Sequence, residues 1–196
     1  MTNKNMYSSI TSTALIGALT ATITACGSDP VNYSEPVGIK LKFKSGDVVA
    51  GRITTDKNIN TESGNPYAAF VSTARAKLGA DPSRIEIPKV TLQLESTSKM
   101  VATLGQVFEG ECKINFALNS NNLRLEVGKR TMLAADLSGP IEISANFDST
   151  TLTAADCSQL LAGSFKVALD CPAATTFAGA SADVDLTLLF TFSAFE

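Results

Sequence analysis

Apolar and polar residues alternate with a period of two along most of the chain after residue 36. Ile39, Leu41 and Phe43 interleave with Lys40, Lys42 and Lys44, so one side of this segment is apolar and the other cationic. That is the pattern of a strand with one buried face. Ser45-Gly46-Asp47 reads as a turn and Val48 to Thr54 as a second strand. Ile85 and Ile87 precede Pro88, and Val90, Leu92 and Leu94 follow it with polar partners between. A proline inside such a run requires a bulge or an edge position. Phe108 to Leu118 is the next strand, with Cys112, Ile114, Phe116 and Leu118 in the apolar phase. After a turn at Asn119 to Asn122 come a short strand at Leu123, Leu125 and Val127 and a candidate further one at Met132 to Leu137. Gly139-Pro140 breaks the chain before Ile141, Ile143 and Ala145. Phe165, Val167, Leu169 and Cys171 form the penultimate strand. In the closing one, Val184, Leu186, Leu188, Phe190 and Phe192 alternate with polar residues that include Asp183, Asp185 and Thr187.

Two segments follow a helical period instead. Tyr67, Phe70, Val71, Ala74 and Leu78 recur at helical spacing behind Asn65-Pro66 and ahead of Gly79. Asn is a good N-cap, Pro is favoured in the first turn, and Gly ends helices in the left-handed conformation. The second helix is expected over Thr153 to Leu161, with Thr153 as N-cap, Asp156 as the capping-box acid and Gly163 as the stop. Seven to nine strands with one wet face each point to antiparallel pairing, because buried parallel strands read as unbroken apolar runs. The expected fold is mainly β: an antiparallel β-sandwich over residues 37–196, with two short helices in connections, each placed to cover an open end.

Composition changes the picture chiefly through one absence. The 196 residues contain no histidine. This removes Ser-His-Asp and Cys-His catalysis, the commonest general base near neutral pH, and most zinc and copper sites. Nothing is identified as a catalytic residue, cofactor ligand or metal ligand, and the chain is read as a non-enzyme. Ser96-Thr97-Ser98-Lys99 matches the Ser-x-x-Lys nucleophile motif of penicillin-recognising enzymes, but it closes a strand instead of opening a helix. The partner motifs are also missing, and Lys129-Arg130-Thr131 is not Lys-Thr-Gly. Asp183 and Asp185 lie on one face of a strand, where calcium ligation competes with a plain solvated face. Lys40, Lys42 and Lys44 form a basic stripe, read either as a surface contact for anionic head groups or polysaccharide or as lysines that blunt an edge strand.

The first 25 residues form a segment of their own. A polar start with Lys4 leads into an apolar, small-residue run from Ile10 to Ala25, about 16 residues, short of the roughly 20 that span a bilayer. It ends Ile23-Thr24-Ala25-Cys26-Gly27. This resembles the lipobox of bacterial lipoproteins, with Ile23 where Leu is usual. The resemblance implies removal of residues 1–25, diacylglycerol on the Cys26 thiol and acylation of the new amine. Gly27 in place of Asp implies sorting to the outer membrane over the inner. Residues 26–36 are then a lipidated tether. The remaining 171 residues carry fifteen cations against nineteen acids, a balance that argues against nucleic acid as a partner. The globular part is similar only in style to envelope lipoproteins of large-genome bacteria, which adds no mechanism.

An exported protein meets an oxidising compartment, so one disulfide is expected among Cys112, Cys157 and Cys171. Cys112 and Cys171 share the inward phase of their strands and are the first choice, meeting across the core. Cys112–Cys157 is the second choice, and three free thiols remain the alternative. The functional expectation is a lipid-anchored, non-catalytic binding or structural module of the envelope, with a protein or glycan as partner. A carrier holding a small apolar ligand between its sheets, lined by the Phe-rich closing strand, is the first alternative. A carboxylate-dependent hydrolase is the second.

Overall fold

The computed structural model describes residues 32–60 and 64–196. Cys26 and the whole signal-like segment lie outside the described residues. The elements run β1 (Asn32–Lys44), β2 (Arg52–Ile59), α1 (Pro66–Leu78), β3 (Arg84–Leu94), β4 (Gly110–Leu118), β5 (Arg124–Met132), β6 (Ile141–Ala145), β7 (Phe147–Asp148), α2 (Ala154–Leu161), β8 (Phe165–Pro172) and β9 (Asp183–Phe195). The fold is mainly β, antiparallel throughout, with two short helices, as expected. Strands neighbour one another in the order β1-β9-β3-β6-β5-β4-β8-β2, with β7 beside β3. The two layers, β1-β9-β3-β6 and β5-β4-β8-β2, are joined by only two residue pairs, Gly128↔Ala145 and Lys129↔Ser144. Gly128 is required there: a Cβ would stand 2.6 Å from the Ser144 carbonyl oxygen. The order therefore describes a flattened, nearly closed sheet that, among the described residues, is open between β1 and β2.

The layers meet on a cluster of rings. Phe116 of β4 lies 5.9 Å from Phe190 and 6.3 Å from Phe192 of β9, and 4.7 Å from Phe165 of β8. All four are fully buried. Burial of such rings dominates core energetics, and offset or tilted pairs add roughly 0.5–1.5 kcal/mol each. Both helices sit at one end, where β1 begins and β9 finishes. Asn65 caps α1 by accepting from the Tyr67 backbone N–H at 2.9 Å, and Gly79 ends it at φ 76°. Tyr67, wholly buried, donates its hydroxyl to the Leu160 carbonyl of α2 at 2.8 Å, tying the two helices together. Burial pushes this phenol far above its ordinary pKa, so it stays a donor. In α2 the Thr153 hydroxyl accepts from the Asp156 backbone N–H at 3.2 Å and donates to the Asp156 carboxylate at 2.7 Å, and Asn121 donates to the same carboxylate at 3.1 Å. Leu104, Val107, Phe108 and Phe177 fill the opposite end, Leu104 from a single 3-10 turn at Leu104–Gln106 and without an α-helix. Both helices thus cover the same open end.

Three further expectations change. β1 starts at Asn32, so residues 32–36, assigned to the tether 26–36, instead pair with Phe195 through Thr191. The physical reason is visible at Tyr33, whose ring stacks 6.0 Å from Phe70. The second strand is Arg52–Ile59, not Val48–Thr54. Ala50 and Gly51 take φ of 49° and 74°, and Val49 and Arg52 exchange backbone hydrogen bonds of 2.9 Å, which makes 48–51 a turn. Met132 ends β5 instead of opening a strand, because Asp136 closes a turn on the Leu133 N–H at 2.8 Å. The bulge at Pro88 does occur: the β3–β9 register shifts between Glu86 and Lys89.

Cys112 and Cys171 form the disulfide, with Cα atoms 4.2 Å apart and a sequence separation of 59. They do not meet across the core. β4 and β8 are neighbours, and the register Lys113↔Asp170 sets the two cysteines opposite each other on the inward face. Cys157 is a free, half-buried thiol whose Sγ lies 3.5 Å from the Ser149 carbonyl.

Two outcomes follow. Reduction should lower folding stability by about 4 kcal/mol on the chain-entropy account of a loop this long, read as a fall in the urea midpoint with dithiothreitol. Tyr67→Phe should cost ~1 kcal/mol through the lost hydrogen bond, whereas Tyr67→Ala should cost about 3–5 kcal/mol by opening a cavity. The same urea titration separates the two.

Candidate functional site

The break in the strand circuit is where the molecule offers unpaired chemistry. In an antiparallel ladder a residue's N–H and C=O point to the same side, and successive residues alternate. Asp185 and Asp183 direct their backbone groups away from β1, toward the chain after β3: Glu95 N–H donates to Asp185 O at 2.9 Å and Lys99 N–H to Asp183 O at 2.8 Å. The bonds between β9 and β1 therefore fall on Val184, Leu186, Leu188 and Phe190, paired with Phe43, Leu41, Ile39 and Val37. Pro36, Gly38, Lys40 and Lys42 face the open side. Two observations agree: Pro36, which has no N–H, stands where none is needed, and the Lys42 carbonyl accepts from Thr55 Oγ1 at 3.4 Å.

The same reasoning applies to β2. Arg52 bonds Val49, and Gly51 O accepts from Ala173 N–H, so Thr54, Asp56 and Asn58 present their backbone groups to the gap. A threonine side chain bridges the edges where a backbone ladder would otherwise run. Beyond it lies a groove of 470 Å³, bounded by Gly38–Lys42, by Asp56–Ile59 and, at the helical end, by Asn65 and Pro66. Ile39, Leu41 and Ile59, all buried, form its floor. Lys57 occupies the inward phase of β2, between Thr55 and Ile59, yet is exposed, because none of the described residues closes over it.

The three lysines of β1 do not form a uniform basic stripe. Lys42 Nζ lies 3.0 Å from Asp185 and Lys44 Nζ 3.6 Å from Asp183, their cross-strand partners. Lys40 is opposite Thr187 and makes no salt bridge among the described residues. Exposed pairs of this kind contribute roughly 0.2–1 kcal/mol, but they set the local charge balance. They also absorb the aspartates considered for calcium, and no group of three or more His, Cys, Asp or Glu side chains among the described residues is arranged to hold a metal. The Ser-x-x-Lys segment is a strap over β9. Thr97 donates to Asp185 Oδ2 at 2.6 Å, and Ser98 Oγ both accepts from the Asp185 N–H at 3.0 Å and faces its carbonyl at 3.1 Å. The Asp185 carboxyl is held below its ordinary pKa, first by the Thr97 hydroxyl and then by the Lys42 ammonium.

Sequence reasoning found Lys40, Lys42 and Lys44 but missed Thr55, Asp56, Lys57 and Asn58. The available signal was the spacing of Ile53 and Ile59, six apart and in one phase, with only polar residues between. This is an edge strand rather than a turn.

No protein-family model and no curated protein matches the chain. Among solved structures, a chain of Desmodium yellow mottle tymovirus aligns over 100% of this chain and 96% of its own, at 11% identity and a TM-score of 0.32. Neither fold nor function is carried over from a likeness that weak.

A depressed carboxylate stabilises the fold fully above its ordinary value, near pH 4, and loses that contribution as pH falls through the lower folded value. Asp185→Asn should therefore flatten the acid limb of a stability–pH profile below about pH 4, with urea midpoints as the readout. An unchanged acid limb would show that the Thr97 and Lys42 contacts do not stabilise the charge.

Proposed function

We propose that the protein is a lipid-anchored module of the bacterial envelope, non-catalytic, that binds a partner at the seam between β1 and β2. The observation that carries the binding role is the pair of unsatisfied strand edges with a groove between them. The anchor rests on the signal-like segment that ends in Cys26. Gly27 favours the outer membrane by the resemblance stated above. The reading of the chain as a non-enzyme rests on the absence of histidine from all 196 residues. Among the described residues no helix is long and apolar enough to cross a membrane.

The geometry then has a direction. Five residues lie between Cys26 and Asn32, a reach of about 20 Å at full extension. The end of the sandwich capped by α1 and α2 would stay beside the bilayer, with the loops at the other end directed away. Two or three acyl chains, at ~0.8 kcal/mol per buried CH₂, hold such a domain durably where one chain would not. The rings that a carrier of an apolar ligand would have to part are in mutual contact, which weighs for a site at the surface over one between the layers.

Cys26→Ser should abolish incorporation of labelled palmitate and shift the protein from the detergent phase to the aqueous phase on partitioning. Palmitate labelling that survives the substitution would remove Cys26 as the anchor.

A further inference from the structure

We infer that the seam accepts an extended acidic peptide from a partner protein, added as a strand between β1 and β2. This deepens the binding-module reading and rests on it. Gly38, Lys40 and Lys42 on one side, and Thr54, Asp56 and Asn58 on the other, point N–H and C=O into the same gap. Strands in a ladder lie about 4.8 Å apart. Here the Lys42 carbonyl is met by the Thr55 side chain and not by a β2 backbone N–H, so the ladder is already interrupted where the edges are linked. Past that link the gap opens into the 470 Å³ groove. An extended segment is the ligand whose own donors and acceptors match two facing edges, and strand addition is an established mode of peptide recognition.

Charge selects the peptide. Around the groove, Lys42 is matched by Asp185 and Asp56 by Lys166, at 3.0 and 3.5 Å. Lys40 and Lys57 have no salt-bridge partner among the described residues, which leaves the seam cationic. A guest strand places alternate side chains on opposite faces. One set would lie over Ile39, Leu41 and Ile59; the other would project outward beside Lys40. An alternation of apolar and acidic residues satisfies both. The same lysines disfavour a second copy of this chain, since pairing one β1 edge with another sets lysine against lysine.

The test uses the full chain purified in a neutral detergent and a fluorescein-labelled decapeptide of alternating valine and glutamate, followed by fluorescence anisotropy. Saturable binding is expected. The double variant Lys40→Glu with Lys57→Glu should bind at least tenfold more weakly, and should gain affinity for the valine–lysine counterpart that the unaltered chain ignores. N-methylation of alternate peptide bonds, which removes donors and keeps charge, should also weaken binding at least tenfold. Equal binding of the methylated peptide, no binding of the unmodified one, or displacement by dextran sulfate as effective as by unlabelled peptide would each overturn the proposal. The last outcome would assign the seam to an anionic glycan. A chain that takes up palmitate yet ignores the peptide would keep the anchor and lose this inference alone.

Discussion

Every backbone N–H and C=O on an edge strand must find a partner or remain in water, and that requirement governs the two ends of this strand order. β9 lies between β1 and β3 and joins the ends of the chain's β region into one layer. β8 does the same for β4 and β2 in the other. What remains is a strand on each side of the gap with one edge satisfied and one open. The lysines, the apolar floor and the single threonine bridge all acquire their meaning from that gap.

The core explains why the gap persists. Phe116, Phe165, Phe190 and Phe192 hold the two layers face to face, and the Cys112–Cys171 bridge fixes β4 to β8 within one of them. At the helical end, Asn65 and Pro66 stand at the groove's limit while Tyr67, the next residue, is anchored on Leu160. The start of α1 thus occupies the position into which β1 and β2 would have to converge. Polar residues on β2 agree with this arrangement: buried on both sides, Asp56, Lys57 and Asn58 would be costly without partners, whereas at an open edge they remain hydrated.

Much of this was legible in the residues. Period-two alternation located β1, β3, β4, β6, β8 and β9, and the Asn65-Pro66 and Thr153–Asp156 signals located both helix starts, because caps and half-buried strands are local phenomena. β2 was not legible, since an edge strand with an open flank needs few apolar residues and leaves almost no alternation to read. The start of β1 was missed for a related reason: Asn32 to Pro36 are mostly polar or proline, and what makes them a strand is β9, more than 150 residues away. The disulfide pair could be chosen from phase, but its setting within one sheet depends on β4 and β8 being neighbours, which no local pattern encodes. For the candidate site, the lysines were visible and their pairing with Asp183 and Asp185 was not, because that pairing is a matter of cross-strand register.

The central claim is that the sheet remains open between β1 and β2, and backbone amide hydrogen exchange along β1 tests it residue by residue. An open seam predicts alternation: the amides of Ile39 and Leu41, bonded to β9, exchange slowly, while those of Gly38 and Lys40, facing the groove, exchange orders of magnitude faster. Uniform slow exchange from residue 38 to residue 41 would mean that both edges of β1 are paired, and would contradict the account.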